Sequence, residues 1–370
     1  MKFAELNLSK DILDALEALK FEQASPIQAQ AIPHLLEGHD LIGQAQTGTG
    51  KTAAFGIPVI ERLDPNIREP QVLVLCPTRE LACQIADQFK KIARFKRQVS
   101  IVSLYGGQQI DIQFKALRRG ANVIVATPGR LMDHINRRSV NMDSIKTVVL
   151  DEVDEMLNVG FKQAIDEIFE RIPNRERQTI LFSATVSERI MGMAMRYQKN
   201  PKLVKIAQTE SSSANIEQFY YEIKERAKPE ALTNLINEYK LKFSLVFCNT
   251  KRQVDEVVRN LNDKGYFANG LHGDMRQSQR DRVMNSFRRG ETEILVATDV
   301  AARGIDMNIE AVFNYDVPEA AESYLHRIGR TGRAGQTGKA FTFVVGSQIH
   351  KLNTIKRYSK GQIHNSKLPV

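Results

Sequence analysis

Four carboxylates, Asp151, Glu152, Asp154 and Glu155, crowd into five positions directly after the apolar run Thr147-Val148-Val149-Leu150. Like charges so close repel, so the cluster needs a reason. One is a solvated helix start, because acidic side chains are favoured at the positive end of the helix dipole. The other is a metal site at the carboxyl end of a buried strand, where open α/β sheets place their ligands. The cluster taken alone fits both.

A second stretch separates them. The segment from Asp40 to Gly43 reads as a short apolar strand, followed by Ala45-Gln46-Thr47-Gly48-Thr49-Gly50-Lys51-Thr52 and a helix-forming run. This is the pattern of a nucleotide phosphate loop, with Ala45 in place of the usual first glycine. Gly48 and Gly50 let backbone N–H groups face phosphate oxygens at a helix N-terminus, Lys51 supplies a point charge, and Thr52 supplies a hydroxyl for Mg²⁺. Such a loop needs a further magnesium holder, commonly an Asp at the end of a later strand. Asp151 meets that need, and Glu152 beside it is placed to orient or deprotonate an attacking water. The acidic cluster then reads as metal holder and base.

These residues must be carried by α/β architecture. Short β-rich runs (QVLVLCPT, ANVIVATPG, TVVLDEV, QTILFSAT, FSLVFCNT, EILVATDV, AVFNYDV, KAFTFVV) alternate with helix-period segments, which predicts mostly parallel sheets covered by helices. The chain also repeats itself. LVLCPTRE at 73–80 resembles LVFCNTKR at 245–252, and further pairs at 104/271, 117/287 and 124/295 share nearly the same offset. We read two copies of one domain, over 1–206 and 216–350, joined by the Ser-rich linker 207–215 and followed by a short basic tail, 351–370. Two such domains on a flexible joint predict a site that forms on closure.

Bulk properties agree with a globular chain of two or three domains: 370 residues, 42% apolar and 26% charged. No apolar run approaches the ~18 residues of a membrane span. Cys76, Cys83 and Cys248 are scattered, and two of them end apolar strands, so they read as core thiols in a reducing compartment. The net charge of +9 is a mild nucleic-acid signal only, since five of the excess positive charges fall in residues 351–370, which hold no acid. His34, His39 and His134 read as surface or cap residues, Met191, Met193 and Met195 as core filler, and Asn308 and Asn314 as turn residues.

Over about residues 3–345 the chain resembles the DEAD-box ATP-dependent RNA helicases of superfamily 2. The resemblance implies tandem RecA-like domains. It assigns adenine reading to Phe21 and Gln28, within Phe21…Ser25-Pro26-Ile27-Gln28, where Lys20 and Ala24 replace the usual Gly and Pro. Pro77, Thr78, Arg79, Gly106, Gly107, Thr127, Pro128, Gly129 and Arg130 match RNA-backbone motifs of the first domain. Asp151-Glu152-Val153-Asp154 is similar to the name-giving tetrad, with Val153 in the Ala position. Asp154 and Ser183-Ala184-Thr185 match elements coupling nucleotide state to closure, as do Arg303 and His326.

In the second domain, Thr250, Gly273, Gln277, Arg280 and Thr298 resemble RNA-facing positions, and Gly304 and Asp306 nucleotide-ribose positions. Arg330 and Arg333 match arginine fingers, for which there is also a physical case. Phosphoryl transfer gains ~10³–10⁵ in rate from such a cation, and the first domain offers Lys51 and Mg²⁺ but no obvious finger. The implied activity is RNA-stimulated Mg-ATP hydrolysis coupled to closure, RNA clamping and local duplex separation by a cytoplasmic monomer. Other readings are a nucleotide-gated clamp for ribonucleoprotein assembly, a DNA translocase, or a binding module without catalysis. The presence of Lys51, Glu152, Arg330 and Arg333 disfavours the last.

Overall fold

Runs such as Val72–Leu75 and Thr147–Leu150 are buried at every position, as parallel strands covered on both faces require. The computed structural model describes all residues except 46–47, 207–214, 303–304, 306, 308, 333–335, 360–362 and 369–370. The chain divides into two units, Met1–Ala207 and Gln208–Val370.

In the first unit, β1 (Leu41–Gln44), β2 (Val72–Leu75), β3 (Ile101–Leu104), β4 (Val123–Ala126), β5 (Thr147–Leu150), β6 (Gln178–Ser183) and β7 (Lys202–Lys205) form one parallel sheet. Its order is β3-β4-β2-β5-β6-β1-β7. Alternate residues feed two cores, as the period of a strand dictates. Val72, Val74, Val149 and Phe182 join Phe55 and Phe89 of the helices Lys51–Glu61 and Arg79–Ile92. Leu73, Leu75, Leu150 and Leu181 join Val153, Met156 and Ile168 on the other face.

The second unit holds β8 (Ile216–Glu222), β9 (Ser244–Phe247), β10 (Ala268–Leu271), β11 (Ile294–Ala297), β12 (Ala311–Asn314), β13 (Gly338–Val344) and β14 (Ile363–Asn365), again all parallel. Its order is β10-β11-β9-β12-β13-β8-β14, the first order with seven added to each strand. The sequence repeats mark true equivalents: β2 and β9 start 172 residues apart, β3 and β10 167, β4 and β11 171.

The stretch read as a basic tail carries structure. Helix Ile349–Ser359 buries Leu352 and Ile355, three apart on one face, and β14 pairs with β8 as β7 pairs with β1. Lys351 meets Glu319 at 2.7 Å, and Lys356 sits 4.0 Å from the Tyr220 ring centroid.

Three expectations need correction. His134 is fully buried. Asn314 is also buried, and it lies in β12, its Nδ2 donating to Thr342 Oγ1 at 3.1 Å. Of the three methionines, only Met193 is core, while Met191 and Met195 are 38% and 81% exposed. They alternate on the helix Glu188–Tyr197, where residues four apart share a face and the one between points away. Cys76 and Cys248 are buried free thiols, and Cys83 is half-buried.

Candidate functional site

The loops that leave the carboxyl ends of β1, β5 and β6, neighbours at one side of the first sheet, hold the phosphate-loop and acidic residues. Gly50 caps the helix Lys51–Glu61 at φ 91°, and Gly48 has φ 85°. Both lie where side chains are strained. At Gly50 a Cβ would also sit 2.4 Å from Gln28 Nε2, so this position admits glycine only. Gln28 and Ser25 suspend the loop from the preceding helix. Gln28 Nε2 donates to the Gly50 carbonyl at 3.1 Å, Gln28 Oε1 accepts from Ser25 N at 2.9 Å, and Ser25 Oγ donates to the Thr49 carbonyl at 2.8 Å. Phe21 is half-buried, stacked 6.3 Å from Phe3. Lys20 before it adopts φ 58°, so the turn keeps its left-handed residue without glycine. Gln46 and Thr47 lie outside the described residues.

Lys51 is 6% exposed, and its Nζ has no hydrogen-bond partner among the described residues. Asp151 at the end of β5 is 2% exposed. Burial pushes its carboxyl up to about 7, partly opposed by the Lys51 ammonium. A buried cation without a bond and a buried carboxylate near it form a site that gains from a bound anion and a bound metal. Among the described residues no cluster of three or more His, Cys, Asp or Glu is arranged to hold a metal. Thr52, next to Lys51, is half-buried.

Glu152 takes φ 51°, a left-handed conformation that costs a non-glycine residue about 1–3 kcal/mol and marks functional sites. Its N–H donates to Asp151 Oδ1 at 3.0 Å. Asp154 reaches the loop after β6, where Oδ2 accepts from Ala184 N at 3.1 Å, Thr185 N at 3.2 Å and Thr185 Oγ1 at 3.5 Å. The Ser183 carbonyl in turn accepts from Ala45 N at 3.1 Å. One loop therefore contacts both the acidic tetrad and the phosphate loop. Val153 is fully buried with Met156 and Leu150.

The loops after β2, β3 and β4 occupy the other side of the same edge. Thr78 caps the helix Arg79–Ile92 by accepting from Leu81 N, Pro77 beneath it is buried, and the Arg79 guanidinium lies 4.6 Å from the Tyr105 ring centroid. Gly107 has φ 84°, and a Cβ at Gly106 or Gly129 would meet nothing within 4 Å. Those two glycines are not required by internal packing; they leave bare backbone facing outward. Thr127 and Pro128 start the helix Pro128–Asn136. Arg130 is turned inward, donating from Nη1 to the Gln108 carbonyl at 3.1 Å and to Gln113 Oε1 at 3.0 Å.

The second unit repeats this edge. Thr250 caps the helix Lys251–Asp263 as Thr78 does, Gly273 is exposed with no neighbour for a Cβ, and Thr298 follows β11. Gln277 opens the helix Gln277–Arg288, bonded to Asp281 at 2.9 Å, with Arg280 one turn on. His326 is half-buried. Arg330 is 7% exposed and donates to the carbonyls of His326 and Ile305, each at 3.2 Å. Arg303, Gly304, Asp306 and Arg333 lie outside the described residues, as does Asn308.

Sequence reasoning passed over Arg327, whose side chain organises this edge. It is 1% exposed, grips Asp299 at 2.5 and 2.8 Å, and donates to the Asp316 carbonyl at 2.7 Å and Asn249 Oδ1 at 2.9 Å. The signal was an acid just beyond two apolar strands, Asp299 and Asp316, the placement that singles out Asp151.

Comparison with known proteins gives one consistent result. Residues 25–192 match the DEAD/DEAH box helicase family model, and residues 227–335 the helicase conserved C-terminal domain. The DEAD-box ATP-dependent RNA helicase CshA of Geobacillus kaustophilus is 48% identical over 369 residues, covering 100% of this chain and 79% of that protein. Among solved structures, S. cerevisiae Dbp5 bound to RNA and ADP BeF3 is similar with TM-score 0.87 and 33% identity, covering 100% of this chain and 95% of that one. Mss116p (NTE and C-tail double deletion) bound to ssRNA and AMP-PNP gives TM-score 0.89 and 27% identity, covering 100% and 80%.

Proposed function

The chain belongs to the DEAD-box family of ATP-dependent RNA helicases, and from that membership we propose how its residues hydrolyse ATP and work on RNA. It is an RNA-dependent ATPase and helicase that couples closure of two RecA-like domains to clamping RNA and separating short duplexes. The observation that carries the site reading is the buried Lys51 ammonium, unbonded among the described residues, beside the raised carboxyl of Asp151.

In this reading Phe21 and Gln28 hold adenine, and residues 45–52 hold the phosphates, with Lys51 neutralising them. Thr52 and Asp151 hold Mg²⁺, which when bound draws charge from the transferred phosphoryl group. Glu152 accepts the proton of the attacking water and is aimed by its strained backbone. Arg330 and Arg333 supply cationic stabilisation on closure, worth ~10³–10⁵ in rate. The bonds of Arg330 to the Ile305 and His326 carbonyls fix its direction. Gly304 and Asp306 contact the ribose. Asp154, Ser183, Thr185, Arg303 and His326 relay nucleotide state. RNA lies along Pro77, Thr78, Arg79, Gly106, Gly107, Thr127, Pro128, Gly129 and Arg130, then Thr250, Gly273, Gln277, Arg280 and Thr298, mainly through its backbone.

We assign 1–206 and 216–350 as the two domains and 207–215 as the linker. The appended 351–370 belongs with the second. A monomer in a reducing, cytoplasmic setting fits the three free cysteines. No helix among the described residues is long and apolar enough to cross a membrane.

The test is Glu152→Gln. Removing the base should lower RNA-stimulated hydrolysis by ~10²–10⁴ while leaving ATP-dependent RNA binding intact and slow to release. Hydrolysis at near the wild-type rate would refute the role of Glu152. Strand displacement measured beside RNA affinity on the wild type separates a helicase from a clamp that only assembles ribonucleoproteins.

A further inference from the structure

Two RNA-facing turns of the first unit, 106–108 after β3 and 127–130 after β4, are joined beneath the surface by side chains that neither motif contains. Gln113, on the helix Ile110–Arg118, is 1% exposed. Its Nε2 donates to the Tyr105 carbonyl at 3.0 Å and to Gln108 Oε1 at 2.9 Å. Its Oε1 accepts from Arg130 Nη1 at 3.0 Å and lies 2.9 Å from His134 Nε2. An amide offers two donors and two acceptor sites, so all four are used.

That assignment fixes His134. With Gln113 Oε1 acting as acceptor, Nε2 carries the imidazole proton, and Nδ1 lies 2.8 Å from Ser139 Oγ, whose one proton is shared between Nδ1 and the His134 carbonyl 3.0 Å away. The ring packs edge-on against Phe114, with centroids 5.3 Å apart. Burial pushes its pKa down to about 4, so the ring is neutral at physiological pH. The Arg130 guanidinium, bonded to both Gln113 and the Gln108 carbonyl, spans from one turn to the other.

We propose that Gln113 and His134 are positioning residues for RNA, locking the two turns into one preformed surface for the phosphodiester backbone. Turns ordered before binding need no ordering during it, and so affinity rises. Without the lock, Arg130 and the buried Tyr105 carbonyl lose partners, and both turns gain freedom. Neither side chain sits on β1, β5, β6 or the loops that follow them, so the effect falls on RNA affinity rather than on ATP chemistry. The proposal rests on the RNA reading above.

The experiment measures ATP hydrolysis by the full chain against concentration of a single-stranded RNA oligonucleotide, for wild type, Gln113→Ala, His134→Gln and His134→Asn. A glutamine amide reaches the position of Nε2 and keeps the bond to Gln113, whereas an asparagine amide reaches that of Nδ1 and keeps only the bond to Ser139. Losing a buried hydrogen bond should raise the half-saturating RNA concentration about tenfold in Gln113→Ala and His134→Asn, and no more than about threefold in His134→Gln. The rate at saturating RNA and the KM for ATP should stay within about twofold of wild type. Both His134 variants remove the ring and its contact with Phe114, so a purely packing role would shift them equally, and that result would overturn the proposal. Loss confined to the saturated rate would overturn it too. The His134 pair decides the question even if Gln113→Ala does not fold. Absence of RNA stimulation in the wild type would instead sink the RNA reading.

Discussion

Asp151→Asn should make the nucleotide-free protein more stable above neutral pH while abolishing its hydrolysis. Asp151 is 2% exposed, and burial raises its carboxyl from 3.8 to about 7. Between those values the folded chain keeps a proton that the unfolded chain has released. The unfolded state then binds fewer protons, so stability falls as pH rises through this window and the loss is complete above about 7. At about 1.4 kcal/mol per pH unit, the whole loss is on the order of a few kcal/mol. The attraction of Lys51 is already contained in the raised value, so it does not cancel this cost. Asparagine keeps the acceptor that Glu152 N uses, but carries no charge at any pH. In calorimetric unfolding of the full chain, wild type and variant should match near about pH 4, separate up to about pH 7 and hold that separation at pH ~8. There the variant's first unit should melt several degrees higher, at about 2–4 °C per kcal/mol. Parallel pH profiles, or a variant less stable at pH ~8, would refute the reasoning.

Three further outcomes can be checked directly. Lys20→Gly relieves a left-handed residue at φ 58°, and after the entropy cost of glycine should gain about 0.5–1 kcal/mol in denaturant unfolding; a loss of stability would contradict the assigned strain. Val153→Ala deletes two methyl groups from a fully buried position and should cost about 2–3 kcal/mol, with RNA-stimulated turnover within about tenfold of wild type. A hundredfold change in turnover would make Val153 part of the coupling. The wild type should hydrolyse ATP well and GTP poorly, and Gln28→Ala should erode that preference while raising the KM for ATP, because the phosphate loop loses its bond at the Gly50 carbonyl. Equal steady-state rates with the two nucleotides in the wild type would count against adenine reading by Gln28.

The legible parts of the fold share one physical property, which is burial on both faces. β2, β4, β5, β6, β9, β11 and β12 are buried at every position and carry apolar runs of three or four residues, because helices cover them above and below. β7 and β14 are edge strands with one buried position each, so no run announces them. β8 alternates buried and exposed positions along IEQFYYE and reads as an ordinary amphipathic segment. The site divides in the same way. The phosphate loop and the acidic tetrad are contiguous, so composition and spacing carry them. Gln113 and His134 are 21 residues apart, and Arg327 and Asp299 are 28 apart. Their meaning lies in pairings that topology makes. A histidine held by a glutamine and a serine has no metal-like or catalytic spacing, and so reads as a surface residue until its burial is seen.

In the function proposed above, the first sheet assigns its two chemistries to separate strands, nucleotide loops after β5, β6 and β1, and RNA loops after β3, β4 and β2, which are two contiguous groups in the strand order. That division has a consequence for descent and for engineering. In that reading the three polymer-side loops can be exchanged while the other three are kept. Drift on either flank is screened from the other except at the seam, where Asp151 N bonds the Leu75 carbonyl at 2.9 Å across neighbouring strands. Chimeras that exchange loops should therefore succeed when cut on one side of that seam and fail when cut through it.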